Sequence, residues 1–271
     1  MSTPQDPARV LATSQDKKEL SAYARLLARS TRAPDHEELA KWVQSGDFLA
    51  RLDEPERYQG APGKTRIAAI LRELSENRAP SAEAVLVALT RSAIFNAEPL
   101  RSDILIRACV PLRPAPPDVV RFWDEHWLPE DGFSHLTAPA VCDNGSAPAL
   151  ALLEKKMGDA AHPDEDKQVW MVTGIMMHRN EPLMLESCDR MLRGGLPENL
   201  RPLLVDVIFD YRPTEWFRPA TVLVPPDRKL AGPEARERLR RIGAFALQSV
   251  SLTDAQKDVV RRVLREIDEN A

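Results

Sequence analysis

The sequence contains little glycine and little cysteine for its length. Its 271 residues include 11 glycines and three cysteines, against 23 prolines. The cysteines form no CxxC pair and lack metal-ligand spacing, which disfavours a disulfide framework and indicates a reducing compartment. Many prolines and few glycines are typical of a chain of helices, each begun or ended by a proline.

Long apolar runs and a strong net charge are also missing. No run approaches the ~20 apolar residues that a transmembrane helix needs, and the first twenty residues lack the apolar core of an export signal. The net charge is -4, with 29% charged residues of mixed sign, which disfavours general affinity for nucleic acids or membranes. We therefore expect a soluble cytoplasmic protein with one large domain or two ordinary ones.

One stretch, QGAPGKTRIAAIL at residues 59–71, looks like the end of a phosphate-binding loop. The full motif, G-x-x-x-x-G-K-[ST], needs a glycine five residues before Gly63, and Tyr58 stands at that position. The preceding residues are charged and interrupted by Pro55, so they do not form the buried strand that such a loop follows. We interpret the stretch as the start of a helix whose apolar face includes Ile67, Ile70 and Leu71.

Most of the chain shows apolar residues at helical spacing. The pattern predicts about a dozen short helices and no substantial strand. One predicted helix carries the stripe Val169, Val172, Thr173 and Met176. Residues 128–148 and 218–233 lack this spacing, and we expect two long connections there.

Short identities recur at a fixed distance. Glu98-Pro99-Leu100 and Glu181-Pro182-Leu183 lie 83 residues apart. The same offset carries Pro114 onto Pro197 and residues 128–147 onto 211–230. An 83-residue period is about twice a HEAT or armadillo repeat, although chance remains an alternative because the identities are few.

With Pro99 and Pro182 at helix starts and these apolar stripes, the chain resembles the HEAT-repeat superfamily. The resemblance covers roughly residues 80 to 270 and carries no subfamily motif. It implies an all-α fold, a right-handed α-solenoid of stacked antiparallel helix pairs, with a helical segment at residues 1–78 packed on repeats at 79–271. Such proteins usually bind partners along a concave face, and a few are enzymes, including DNA glycosylases and bilin-lyase-like proteins.

The segment FWDEHWL at residues 122–128 concentrates aromatic side chains. Trp123 and Trp127 are one helical turn apart, so they either pack in the core or form the centre of an interface. Asp124 and His126 are two residues apart and do not share a helix face, which disfavours a metal site.

A second candidate group lies near the start of the later irregular stretch. Asp206 and Asp210 are four residues apart and could do acid–base work, hold a cation or lie on a solvated face. Tyr211, Arg212 and Trp216 follow where this stretch begins. Because the two irregular stretches match at the 83-residue offset, we expect them to flank one groove.

The sequence analysis favours a non-catalytic scaffold that binds a protein partner. The predicted surface is formed by Trp123, Trp127, Tyr211, Arg212 and Trp216. The first alternative is a groove that binds a small ligand or supports catalysis through His126, Asp206 and Asp210. A second alternative is nucleic-acid binding by the C-terminal arginines, which neighbouring acidic residues disfavour. No catalytic triad, cofactor or metal site is predicted.

Overall fold

The described part of the chain is built from helices alone. The structure, a computed structural model, describes residues 7–52, 65–97, 99–127, 134–209 and 232–269. These ranges contain sixteen helices and no strand, so the all-α prediction is confirmed and the helix number exceeds the expected dozen. The excess comes from short helices, such as those of five and seven residues near positions 93 and 46.

The chain divides into two compact units, Met1–His126 (unit 1) and Trp127–Ala271 (unit 2). The division falls after the ninth helix, whereas the sequence analysis placed a boundary between residues 78 and 79. The helices of unit 1 are α1 (Pro7–Thr13), α2 (Lys17–Arg29), α3 (Ala33–Val43), α4 (Gly46–Leu52), α5 (Arg66–Glu76), α6 (Pro80–Leu89), α7 (Ala93–Ala97), α8 (Pro99–Ala108) and α9 (Pro117–Glu125). The helices on either side of residue 78 contact one another within unit 1, because α3 packs on α6 and α5 packs on both α6 and α8.

Helix starts in unit 1 follow the sequence chemistry closely. Proline occupies the first turn of α3, α6 and α9, where its missing N–H group would have no helical partner. Thr65, the last residue of the GxxGKT stretch, is the N-cap of α5, and its hydroxyl accepts a hydrogen bond from the Ala68 N–H at 3.2 Å. A helix in this stretch is therefore confirmed from Arg66 onward, whereas residues 59–64, where the sequence places the helix start, lie outside the described residues.

A partly buried carboxylate links α2 to α5. Glu73 of α5 accepts hydrogen bonds from Arg25 at 2.5 Å and from Arg29, both on α2. The Arg29 hydrogen bond is the main reason that the pKa of Glu73 falls to about 2, against the opposing effect of burial. This carboxylate therefore stays ionised at every pH at which the protein is normally handled.

Unit 2 continues with α10 (Ser134–Asn144), α11 (Ala147–Gly158), α12 (Asp164–Trp170), α13 (Pro182–Arg190), α14 (Arg201–Phe209), α15 (Pro233–Ser249) and α16 (Asp254–Glu269). Two of these helices extend into π-helical turns, α12 into Met171–Ile175 and then Met176–His178, and α13 into Met191–Gly195. Within the described residues, α10 packs on the first π turn and α15 packs on both α13 and α16.

The helix α10 corrects the prediction of a long connection at residues 128–148. Pro139 lies inside α10, although a proline within a helix removes one backbone hydrogen bond. Ala138, Val141 and Cys142 of this helix are buried. Their burial against the rest of unit 2 offsets the one backbone hydrogen bond that the proline removes. The second predicted connection, at residues 218–233, lies almost wholly outside the described residues.

The 83-residue offset has a structural counterpart in the helix bounds. It carries the first residue of α8 onto the first residue of α13, and it carries the start of α9 to within one residue of the start of α14. Both α9 and α13 begin with a proline in the first turn. The offset therefore relates helices of unit 1 to helices of unit 2 in the same chain order.

All three cysteines are unpaired thiols in the core. Cys109 follows α8 in unit 1, whereas Cys142 and Cys188 lie in α10 and α13 of unit 2. Burial raises the pKa of each thiol well above its usual range.

Candidate functional site

The two tryptophans that the sequence analysis placed on a binding surface are buried. Trp123 lies in α9, with its Nε1 atom 3.4 Å from the carbonyl oxygen of Ile106. Trp127 follows α9 and is the first residue of unit 2. Core packing, the alternative considered for both residues, describes them in this structure, and neither ring is open to a protein partner.

The polar residues of the small-ligand alternative are not brought together within either unit. His126 ends unit 1, and its Nδ1 atom lies 2.8 Å from the Phe122 carbonyl oxygen. Asp206 lies in α14 of unit 2, where it accepts a hydrogen bond from Gln256 at 2.9 Å. This bond ties α14 to the first turn of α16. The remaining predicted site residues lie outside the described residues: Asp210, Tyr211, Arg212 and Trp216.

Several C-terminal arginines of the nucleic-acid alternative are held by carboxylates. Arg238 of α15 pairs with Glu186 at 2.8 Å and with Glu234 at 2.9 Å. Arg240 pairs with Asp268 of α16, also at 2.8 Å. These ion pairs within unit 2 make both arginines less able to bind the phosphates of a nucleic acid.

A serine and a histidine in unit 1 have the residue types of a nucleophilic site. The Nδ1 atom of His36 lies 2.6 Å from the Ser81 hydroxyl, and its Nε2 atom lies 3.3 Å from the Asn77 amide nitrogen. An amide nitrogen donates and does not accept, so in the neutral ring Nε2 is the acceptor and Nδ1 carries the hydrogen. His36 therefore donates to Ser81 and does not remove its proton, which makes the pair a structural link between α3 and α6.

The strongest candidate site is in unit 2 and was not predicted. It consists of Trp127, Lys156, His162, Lys167 and Trp170, and we call it the Trp–Lys cluster. All five side chains are buried. They come from three parts of the chain: the residue after α9, the end of α11 with the following connection, and α12.

Local chemistry explains how the connection and α12 place their residues. The Asp159 carboxylate accepts a hydrogen bond from the Ala161 N–H at 2.9 Å, which forms a tight turn just before His162. The first turn of α12 then carries three acidic residues, Asp164, Glu165 and Asp166, where they favour the helix dipole. Lys167 and Trp170 are three residues apart in α12, so they lie on one face.

Trp170 is the centre of the cluster. Its ring makes an edge contact with the Trp127 ring, with centroids 5.2 Å apart and an angle of 82°. The His162 ring contacts Trp170 in the same way, also at 5.2 Å. The Lys156 Nζ atom lies 6.0 Å from the Trp127 ring centroid, within the range of a cation–π interaction.

The cluster holds buried nitrogens without hydrogen-bond partners. In the part of the chain that the structure describes, Trp127 Nε1, Trp170 Nε1 and His162 Nδ1 are enclosed by protein yet contact no acceptor. An edge contact can direct at most one N–H group of a pair at the other ring's face. A buried donor without an acceptor costs about 1 to 3 kcal/mol, so the arrangement needs a compensating partner.

The surroundings of the cluster are electropositive on their buried side. The pKa of His162 is lowered by burial first and then by Lys156 and Lys167, while Asp159 and Asp166 act in the opposite direction. His162 is therefore neutral at pH 7. Lys167 is only 1% exposed and forms no ion pair with any residue that the structure describes.

Helical spacing alone could not predict this site. In the predicted stripe Val169, Val172, Thr173 and Met176, the side chains of Val169 and Thr173 are only partly buried. A π turn, Met171–Ile175, begins directly after Trp170, so the constant turn length that such a stripe assumes does not hold there.

A second polar group in unit 2 predicts a pH-dependent stability. His178, at the end of the α12 segment, contacts Asp143 through Nε2 and Glu181 through Nδ1, both at 2.8 Å. Burial lowers its pKa, but the two carboxylates outweigh burial and raise it to about 9. A folded-state pKa above the ordinary value of 6.5 stabilises the fold at low pH, and this stabilisation is lost as the pH rises through about 9.

We expect His178→Gln to lower the free energy of unfolding by about 1 kcal/mol at pH 6, after allowance for the exposure of both carboxylates. The difference between the two proteins should shrink toward zero by about pH 10 because neutral His178 loses its advantage. Urea unfolding at several pH values measures it. A difference that stays constant over this range would show that the imidazolium charge contributes nothing.

In comparisons with protein-family models, curated proteins and solved structures, nothing matched the chain. Among the described residues, no group of three histidine, cysteine or carboxylate side chains is arranged to hold a metal ion. The described helices include none with both the length and the apolar character to span a bilayer. The candidate site is therefore argued from its own geometry.

Proposed function

We propose that unit 2 is a ligand-binding module and that the Trp–Lys cluster is its site. The observation that carries this proposal is the pair of buried indole N–H groups, on Trp127 and Trp170, that contact no acceptor. Buried tryptophans normally find a hydrogen-bond partner. A bound molecule with several acceptor atoms would give each of the two indole N–H groups a hydrogen-bond partner.

The backbone beside the cluster supports the same proposal. A π turn, Met171–Ile175, begins directly after Trp170. Such turns are rare, interrupt the regular helical hydrogen bonds and occur frequently at functional sites. Here the turn directly follows Trp170, the ring that contacts both Trp127 and His162.

The burial of the aromatic residues favours ligand binding over the scaffold hypothesis. A protein-binding surface centred on Trp123 and Trp127 requires both rings to be accessible, and both are buried. The HEAT-like solenoid stays a proposal about the fold, supported by the matched bounds of α8 with α13 and of α9 with α14. We assign the cluster a binding role and no reaction.

Native mass spectrometry and one conservative variant test the proposal. Trp170→Phe keeps an aromatic ring but removes the N–H donor. We expect the purified protein to retain a ligand mass that leaves on denaturation, and we expect Trp170→Phe to lose most of it. Trp123→Phe is the matched control, because it changes an equally buried tryptophan of unit 1 whose N–H faces the Ile106 carbonyl.

Two results would contradict the proposal. One is equal retention of the ligand mass by wild type and by Trp170→Phe, which would place the ligand elsewhere. The other is a high-resolution crystal structure in which both indoles donate only to ordered water or to ring faces, together with no mass retained. In that case the cluster would be a hydrated part of the core.

A further inference from the structure

We propose that the Trp–Lys cluster binds a phosphate-class oxyanion, either free phosphate or the phosphate group of a small metabolite. The inference rests on the proposed function and names the chemistry of its ligand. It is carried by the two buried indole N–H groups that contact no acceptor, and by the burial of Lys167, which forms no ion pair with any residue that the structure describes.

The hydrogen-bonding inventory of the cluster is one-sided. Indole and ammonium groups donate and cannot accept, so Trp127, Trp170, Lys156 and Lys167 can serve only an acceptor. His162 joins them when protonated, since both ring nitrogens then donate. A neutral alcohol or sugar would bring several hydroxyl hydrogens, and only the unprotonated nitrogen of neutral His162 could receive one of them. The dianion of a phosphate monoester brings acceptors alone, and hydrogen phosphate brings a single O–H group that this nitrogen can receive.

The burial of Lys167 requires a negative charge nearby. Lysine is almost never fully buried unless it is paired. Lys167 is 1% exposed, and no carboxylate of the described residues forms an ion pair with it. An anion at the cluster would neutralise this ammonium and would also lie within reach of the Lys156 charge, which faces the Trp127 ring.

Two carboxylates oppose this charge without cancelling it at the buried side. Asp159 and Asp166 both influence the His162 ring, and Asp159 also interacts with Lys156 and Lys167. Both aspartates are partly exposed, whereas both lysines are buried. Water screens the aspartates more strongly, so they offset the charge of the buried Lys167 only in part. Asp159 is further occupied by the Ala161 N–H.

The number and origin of the donors favour a tetrahedral oxyanion over a carboxylate. The donors belong to three separate parts of the chain. Trp127 follows α9 by two residues, Lys156 and His162 belong to the end of α11 and the connection after it, and Lys167 and Trp170 belong to α12. A planar carboxylate receives its hydrogen bonds mainly within one plane. Phosphate presents oxygens in several directions and accepts from donors that approach from different sides.

His162 and Lys156 are the most exposed side chains of the cluster. They keep 7% and 8% of their surface exposed, more than the tryptophans and Lys167. Protonation of His162 would accompany the binding of an anion, because an adjacent anion compensates both burial and the two lysines.

Calorimetric and thermal-shift titrations with inorganic phosphate test the proposal. The probes are inorganic phosphate, glycerol 2-phosphate and chloride, at matched ionic strength. We expect saturable binding of phosphate to the wild-type protein and none of chloride. Tighter binding of glycerol 2-phosphate than of phosphate would identify a phosphorylated metabolite as the source, whereas weaker binding would identify the free ion. The His162 pKa, followed by NMR, should rise when phosphate saturates.

Matched variants connect the binding to the cluster. Lys167→Met keeps the length of the side chain and removes its charge, and we expect it to weaken phosphate binding at least about tenfold. Lys155→Met removes an exposed charge next to Lys156 on α11 and should change the affinity less than about twofold. Circular dichroism confirms that each variant is folded. If Lys167→Met fails to fold, Trp170→Phe provides the same comparison.

The outcomes separate this inference from the proposed function. The inference fails if folded wild-type protein binds neither phosphate nor glycerol 2-phosphate, or if Lys167→Met and Trp170→Phe bind them as tightly as wild type does. A neutral retained ligand that is lost in Trp170→Phe, without any phosphate binding, would refute the oxyanion and leave the ligand-binding module intact. Indoles that donate only to water, with no retained mass, would refute both.

Discussion

Trp123→Ala is expected to destabilise unit 1 by about 3 to 5 kcal/mol, the usual cost of removing a large buried aromatic side chain. The Trp123 ring is completely buried, and its N–H group lies near the Ile106 carbonyl oxygen. Alanine would leave a large cavity and would remove the indole N–H group that faces this carbonyl oxygen. Since domains of this size are stable by about 5 to 15 kcal/mol, much of the unit should unfold under mild urea.

Urea unfolding followed by circular dichroism measures the effect of Trp123→Ala. Trp42→Ala is the control in the same unit, because Trp42 is only partly buried and its N–H donates to Glu38 on the same helix. We expect the control to cost clearly less. A Trp123→Ala protein with wild-type stability would show that the ring does not pack in the core and would restore its proposed place on a binding surface.

Gly174→Ala is expected to destabilise unit 2 by about 2 kcal/mol through overpacking. A methyl group at Gly174 would lie 2.6 Å from the Cys142 Sγ atom and 3.3 Å from its Cβ atom. Gly174 is in the π turn that packs on α10, and both partners are buried. Thermal or urea unfolding of the variant gives the size of the effect.

A double mutant identifies the cause of this loss. Cys142→Ala removes the sulfur that the new methyl group would meet, so the pair Gly174→Ala and Cys142→Ala should be more stable than the sum of the single effects by about 1 kcal/mol or more. Gly46→Ala is a useful comparison, because a methyl group there meets no atom within 4 Å. Strict additivity of the two changes would mean that the contact with Cys142 is not responsible.

Much of the fold could be predicted from local patterns. The helix start at Pro182 is predicted correctly, because a proline signal acts within one helical turn. The reciprocal hydrogen bonds between Thr253 and Gln256 at the start of α16 are a signal of the same local kind. The helix α10 was missed because Pro139 is a local signal that burial of its neighbours overrides. Local chemistry decides a helix start more reliably than it decides whether a helix tolerates a proline.

The candidate site depended on information that spacing does not contain. Trp127 was noticed in the sequence, but its partners lie about 30 to 40 positions later, and only the tertiary structure brings them together. The π turn added a second obstacle, because a periodic pattern assumes one constant turn length. A lysine three residues before a tryptophan is common on amphipathic helices, so that pair alone could not indicate a site.

The burial of the three cysteines turns them into native reporters of local opening. A buried thiol with a raised pKa reacts with alkylating reagents only when its surroundings open. Cys109 records such events in one half of the chain, and Cys142 and Cys188 record them in the other. Peptide-level mass spectrometry after timed alkylation would therefore follow the two halves separately, without an introduced label. It would reveal whether a ligand slows the alkylation of the cysteines in only one half.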